Sequence, residues 1–241
     1  MDIDVFLTGP SVNEPDVRGR TAVVIDVLRA SSTIATALSN GAQAVIAVKD
    51  QDQADEHIAA LEPGSFLLCG ERDAEKIEGY DLGNSPLEYP EAVVGGKTVI
   101  LNTTNGTAAL ARARAAKHLV TGCFLNAGAV VDFIRSAGDD VALICAGWRG
   151  RASLEDMLCA GMLLDRLWDG DAPHAASDSA RMALALHRAN TQPLRQVLDV
   201  CRAAGMLRAL GAEADLDYCL RVDALPVLPR MQDGRLLLYA S

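Results

Sequence analysis

Apolar runs rich in β-branched residues alternate along this chain with stretches whose apolar positions recur at helical spacing. That alternation predicts an α/β fold, a largely parallel sheet with helices on both faces. The plainest unit begins at Val23-Val24-Ile25, a buried strand. Asp26 and Arg29 interrupt it, Ser31-Ser32-Thr33 follow, and Ile34, Ala35, Ala37 and Leu38 resume as a helix that Gly41 stops. Further strands are predicted at 3–7, 44–48, 66–69, 98–101, 118–121 and 141–145. The intervening helices fall at 52–61, with Asp52 as its cap, at about 107–116, at 127–136 and at 153–168.

Two regions depart from this rhythm. Residues 70–96 are rich in charge, Gly and Pro, yet hold Tyr80, Leu82, Leu87 and Tyr89, which predicts an ordered loop rather than a disordered one. From about 175 to 208, and again at 215–220, helical patterns dominate, with Pro193 suited to a first turn. Residues 227–231 and 236–239, joined across Asp233-Gly234, read as a closing hairpin. No linker, repeat or low-complexity tract divides the 241 residues, so one domain spanning 1–241 is expected.

Composition narrows the class. Hydrophobic residues make up 50% and charged residues 22%, and no apolar run reaches the roughly 18 residues of a membrane span. Residues 1–10 carry Asp2 and Asp4 and lack the basic start of a secretory signal, which makes the cytoplasm the expected compartment. A net charge of −10 argues against a nucleic-acid partner; a polyanionic ligand must therefore be held by local cations. The six cysteines show no C-x-x-C spacing, and only Cys145, in VALICAG, is considered as a nucleophile. His57, His118, His174 and His187 lie within helix or strand patterns, which points to surface or core roles. A homodimer stays open as the assembly.

The chemistry gathers where strands end. After the first strand come Asp26 and Arg29; after the second of these, Gly70-Glu71-Arg72; after the third, Asn102 to Thr107; after the fourth, Gly147 to Asp156. In an open parallel sheet such ends share one rim, where ligands bind. That rim would unite Asp26, Glu71, Asp81, Glu155 and Asp156 with Arg29, Arg72, Arg149 and Arg151 and with many hydroxyl and glycine N–H donors. A hard cation held by a few carboxylates and touching a bound phosphate suits this set. Each piece also has a plain structural reading. Ser31 or Ser32 could cap a helix, Asp26 could pair with Arg29, Glu71 could pair with Arg72 on the surface, Asp81 could stabilise a turn, and Asp156 could serve a capping box with Ser153.

VVIDVLRASSTI at 23–34, GER at 70–72, GYDLGNSP at 79–86, TTNGT at 103–107 and CAGWRGRASLEDMLCAG at 145–161 together resemble the 2-phosphosulfolactate phosphatase family. The resemblance implies a three-layer α/β/α fold with a mixed sheet. It also implies magnesium-dependent release of phosphate from (R)-2-phospho-3-sulfolactate, in coenzyme M formation. Carried over with it are Asp26, Glu71 and Asp156 as metal or acid/base carboxylates, Asp26 and Glu71 as the catalytic pair, and Glu155 beside Asp156 as a further ligand. Arg29 joins the catalytic group. The substrate's anionic groups fall to Ser31, Ser32, Thr104, Asn105, Gly106 and Thr107, with Asn84 and Ser85 from the GNSP turn and the cations Arg72 and Arg149.

The expected partner is thus a small anionic phospho-ester. Water activated by Mg2+, or by Asp26 or Glu71, would attack phosphorus in line. A covalent aspartyl route is disfavoured, since D-x-D-x-T is absent. Two other readings stay open: a non-catalytic anion- or nucleotide-binding module, and a phosphatase of another small phospho-acid. A dinucleotide oxidoreductase is disfavoured, because D-V-L-R-A-S-S stands where G-x-G-x-x-G would be.

Overall fold

A computed structural model describes residues 1–170, 172–173 and 176–239. The elements in chain order are β1 (Ile3–Phe6), α1 (Glu14–Val17), β2 (Thr21–Ile25), α2 (Ala30–Ser39), β3 (Ala44–Val48), α3 (Gln51–Ile58), β4 (Phe66–Arg72) and β5 (Glu75–Lys76). They continue with α4 (Glu91–Val94), β6 (Thr98–Asn102), α5 (Gly106–Arg112), β7 (His118–Gly122), α6 (Ala127–Ala137), β8 (Val141–Cys145) and α7 (Leu154–Trp168). The C-terminal part holds α8 (Asp178–Ala189), α9 (Leu194–Leu198), α10 (Arg202–Ala209), α11 (Glu213–Cys219), β9 (Pro229–Gln232) and β10 (Arg235–Leu238).

Among the described residues ten strands form one mixed, mostly parallel sheet in the order β1-β8-β2-β7-β9-β10-β3-β6-β4-β5. Every residue of β2, β6 and β8 is buried. Alternation along β2 splits its side chains between two cores. Val23 and Ile25 pack with β8 and with α6, α7 and α8, while Ala22 and Val24 pack with α2, α5 and β6. A third, smaller core sets Ile46, Val48 and Ile100 against Ala54 of α3. Helices thus cover the sheet on both faces, as the strand–helix rhythm predicts. No helix among the described residues is long and apolar enough to cross a membrane.

The closing hairpin is not an edge feature. It is inserted mid-sheet, with Arg230 of β9 opposite Val120 of β7 and Leu236 of β10 opposite Val45 of β3. Three antiparallel steps, β7–β9, β9–β10 and β10–β3, therefore separate the parallel block β1-β8-β2-β7 from the parallel block β3-β6-β4. The two blocks run in opposite senses, which corrects the expectation of a single shared rim. Twist accumulates at roughly 20–25° per strand over the five steps from β2 to β6 and offsets much of that reversal. The carboxyl ends of β2 and β6 meet: a Cβ built on Gly106 would lie 2.8 Å from Asp26 Oδ2.

Smaller departures have local causes. Asp50, not Asp52, caps α3, its carboxylate accepting from Gln53 N. The 70–96 stretch is ordered, as its apolar residues require: Tyr89 is fully buried and its hydroxyl donates to the Gly83 carbonyl at 2.7 Å. His174 and the predicted start of the helical region at 175 lie outside the described residues.

Candidate active site

The turn after β2 is wound by its own hydroxyl and carboxylate groups. Asp26 Oδ1 accepts from Ala30 N at 3.2 Å, the Asp26 carbonyl accepts from Ser31 N at 2.9 Å, and Ser31 Oγ accepts from Asp26 N at 3.0 Å. Ser31 Oγ also donates to the Val24 carbonyl, and Ser32 Oγ donates to the Val27 carbonyl at 2.8 Å. Both serines are buried and bonded to backbone, so they shape the turn. One carboxylate oxygen is held in place and Oδ2 of Asp26 is left toward Gly106.

Asp156, in the first turn of α7, does not cap its own helix; Ser153 makes no side-chain capping bond. Its Oδ1 accepts from Val27 N at 2.9 Å and its Oδ2 from Gly147 N at 3.1 Å. It thereby clamps the segment after β2 to the segment after β8. Gly147 has φ +68, and a Cβ there would lie 2.5 Å from the Arg151 carbonyl, so this close turn admits only glycine.

Glu71, at the end of β4, forms no ion pair with Arg72. Its Oε2 accepts from Ala74 N at 2.8 Å and its Oε1 from Thr104 N at 2.7 Å. The carboxylate joins the β4–β5 turn to the loop after β6. That turn places Asp73 and Ala74 at φ 52 and 70, the left-handed geometry of a two-residue hairpin loop. Arg29 secures it from the other side, donating from Nη2 to the Ala74 carbonyl at 2.8 Å and from Nη1 to Asp215 Oδ2 at 2.6 Å. Ser85 Oγ donates to Asp215 Oδ1 at 2.6 Å. Arg29 therefore pairs with Asp215, not with Asp26.

A cleft of about 330 Å³ opens where these segments converge. It is lined by Asp26, Arg29, Glu71, Asn84, Thr104, Asn105, Glu155 and Asp156, all singled out in the sequence. The carboxylates are deeply withdrawn from water, at 9% exposed for Asp26, 7% for Glu71, 6% for Glu155 and 3% for Asp156. Burial, reinforced by the charges of Glu71 and Glu155 and opposed by the Ala30 N–H, pushes Asp26 up to about 7. Burial, then the charges of Glu155 and Asp26, holds Asp156 well above the usual carboxylate range, and burial raises Glu155 as well. The electrostatic signature is an excess of buried negative charge.

Other expected residues lie elsewhere. Thr107 Oγ1 donates to the Thr103 carbonyl within the turn. Arg72 donates to Asn102 Oδ1 at 3.0 Å, and Arg149 is paired with Asp73 at the surface. Ser85 lines a second, shallower depression. Asp81 accepts from Leu68 N and stabilises its own loop. Asn105 lines the cleft while its Oδ1 accepts from Arg149 N at 3.3 Å. Cys145 is a core residue, its thiol pushed well above its ordinary range by burial and by the charges of Asp156 and Glu155, which removes it as a nucleophile. Sequence reasoning missed the far wall, formed by Val200, Cys201, Arg202, Ala203, Met206 and Leu207, and missed Asp215 altogether.

The donor set suits a hard cation. Among the described residues no three carboxylate, imidazole or thiol groups stand together as a closed metal cage. Magnesium is commonly held by one or two carboxylates and otherwise keeps water and substrate oxygens. Glu155 and Asp156, with the Asp26 charge beside them, bring together carboxylates whose mutual repulsion a cation would relieve. Two buried polar atoms of residues that line the cleft, Asn84 Oδ1 and Thr104 Oγ1, have no hydrogen-bond partner among the described residues. Unpaired buried polar atoms are costly unless a ligand or water completes them.

The profile of the 2-phosphosulpholactate phosphatase family matches residues 7–234 of this chain. A protein of Thermotoga petrophila is 43% identical over 222 residues, covering 92% of this chain and 93% of its own length. One of Caldanaerobacter subterraneus subsp. tengcongensis is 37% identical over 234 residues, 97% of both chains, and one of Clostridium beijerinckii is 36% identical over 236 residues, 98% of this chain and 99% of its own. Each of the three bears the name "Probable 2-phosphosulfolactate phosphatase". With a match that runs from just after β1 to the turn of the closing hairpin, this chain belongs to the 2-phosphosulpholactate phosphatase family.

Proposed function

We propose that the chain hydrolyses (R)-2-phospho-3-sulfolactate to 3-sulfolactate and inorganic phosphate, with magnesium in the cleft. The observation that carries this reading is the buried cluster of Asp26, Glu155 and Asp156 beside unpaired Asn84 Oδ1 and Thr104 Oγ1, in a chain that matches the family over residues 7–234. The six cysteines are free and buried, which accords with a reducing cytoplasm.

Glu155 and Asp156 would hold magnesium. When bound, it supplies Lewis-acid polarisation of the phosphoryl oxygens and lowers the pKa of a neighbouring water. The remaining roles fall to the chain itself. Thr104 Oγ1 and the Asn84 side chain orient the phosphate. Arg29, on the cleft wall with N–H donors beyond the two it has engaged, supports charge developing on phosphoryl oxygens. Asp26, anchored through Oδ1, takes the proton of the attacking water through Oδ2; the new O–P bond forms as the bond from phosphorus to the C2 oxygen breaks, and the sulfolactate oxygen takes up a proton from solvent. A carboxyl poised near 7 suits that task.

The experiment is phosphate release from phosphosulfolactate, from other phospho-acids and from nucleotides, with magnesium and with a chelator. Turnover confined to phosphosulfolactate and to magnesium is expected. Binding without turnover of any ester would establish a binding module instead, and preference for another phospho-acid would reassign the substrate.

A further inference from the structure

We propose that Arg151 and Arg202, braced by Trp148, form the subsite that holds the sulfonate of the substrate and so select it; the inference rests on the phosphosulfolactate reading above. Phosphosulfolactate carries roughly four negative charges near neutral pH, about two of them on the phosphate. The acid floor of the cleft offsets none of them. Of the arginines nearby, Arg29 is ion-paired with Asp215 and its remaining donors are assigned to the phosphate, and Arg149 is ion-paired with Asp73. Arg151 and Arg202 also line the cleft, and neither makes an ion pair among the described residues. They are the uncommitted cations of the cleft wall.

Arg202 is fixed without being neutralised. Its guanidinium carbon lies 4.1 Å from the centroid of the Trp148 ring, whose other guanidinium contact is Arg149 at 4.8 Å. Stacking on an indole face leaves the N–H edge of a guanidinium available. Arg202 is also the first residue of α10, where a cation opposes the helix dipole; its placement there works against local helix preference. Arg151 sits on the turn that Gly147 and the Trp148–Arg151 bridge hold closed. The same cleft is lined by the apolar side chains of Leu154, Val200, Met206 and Leu207, a wall suited to a short carbon chain rather than to a nucleoside sugar. A sulfonate spreads one charge over three oxygens and is weakly hydrated, which matches guanidinium better than ammonium.

The test compares Arg151→Gln and Arg202→Gln with the unmodified protein on phosphosulfolactate and on 2-phospholactate, which keeps the phosphate and carboxylate and lacks the sulfonate. Each substitution should raise KM for phosphosulfolactate about 10–100-fold, leave its kcat within about threefold, and leave KM for phospholactate nearly unchanged. Both residues are exposed, so unchanged melting curves are expected. Calorimetric titration with 3-sulfolactate against lactate reads the same contact without turnover. Loss of hydrolysis in the unmodified protein and loss of sulfonate recognition therefore register separately. Equal effects on both ligand pairs, or no effect on sulfolactate binding, would overturn the proposal; restored sulfolactate affinity in Arg202→Lys would show that charge alone, without the stacked plane, is sufficient, and would overturn the role given to Trp148.

Discussion

The Arg29 guanidinium donates to the Asp215 carboxylate across 2.6 Å, with the two side chains 6% and 3% exposed. The pair links the turn after β2 to α11, from opposite ends of the sequence, and through the Ala74 carbonyl and Ser85 it also fixes the β4–β5 turn and the GNSP segment. Removing one member leaves a buried charge unmatched, which typically costs about 3–5 kcal/mol. Asp215→Ala should therefore lower the urea-unfolding free energy by that order. Arg29→Met combined with Asp215→Leu should recover most of the loss in stability while activity stays low.

Asp26 sets a pH dependence of stability. Burial and its acidic neighbours raise it from 3.8 to about 7 in the folded chain. The folded state thus binds more protons than the unfolded state between about pH 4 and pH 7, and stability falls as pH rises through that window, then levels off. Asp26→Asn removes the group and should gain on the order of a few kcal/mol at pH 8 and little at pH 4. Melting temperatures at the two pH values measure the difference; a larger gain at pH 4 than at pH 8 would count against the assignment.

Gly106 has room for no side chain. A Cβ there would lie 2.7 Å from Ala30 Cβ and 2.8 Å from Asp26 Oδ2. Gly106→Ala adds no charge and removes no donor, yet it must push the Asp26 carboxylate or the start of α2 aside. A cost of about 1–3 kcal/mol in stability is expected, with kcat/KM down roughly 100-fold, since displacements near 1 Å at reacting groups have that effect. Near-normal activity would show that Asp26 Oδ2 does not work at this position.

Much of the fold was legible because strand cores announce themselves. Thr98–Asn102 and Val141–Cys145 are short buried runs with β-branched apolar centres, bounded by turn residues, and the segments after them bring Thr104, Asn105, Glu155 and Asp156 to the cleft. Asp156 illustrates where local reading stops. Ser153 three residues before it imitates a capping box, while its carboxylate serves Val27, 129 positions away. Asp215, Cys201 and Arg202 were invisible for the same reason: on or beside short helices their spacing reports only helix, while tertiary packing brings Cys201 and Arg202 to the cleft and Asp215 to Arg29. The hairpin was readable as a hairpin, but nothing within residues 227–239 says that it joins two oppositely directed sheet blocks through single pairings at Arg230 and Leu236.

On the function proposed above, Asp26 accepts the water proton in a magnesium-dependent phosphoryl transfer in this cleft. Phosphate release from phosphosulfolactate by the unmodified protein and by Asp26→Asn, across a magnesium titration, tests it most directly. Turnover should require magnesium in the former, and in the latter kcat should fall by about 10²–10⁴-fold with substrate binding retained. Magnesium-independent turnover, or an Asp26→Asn variant as active as its parent, would contradict it.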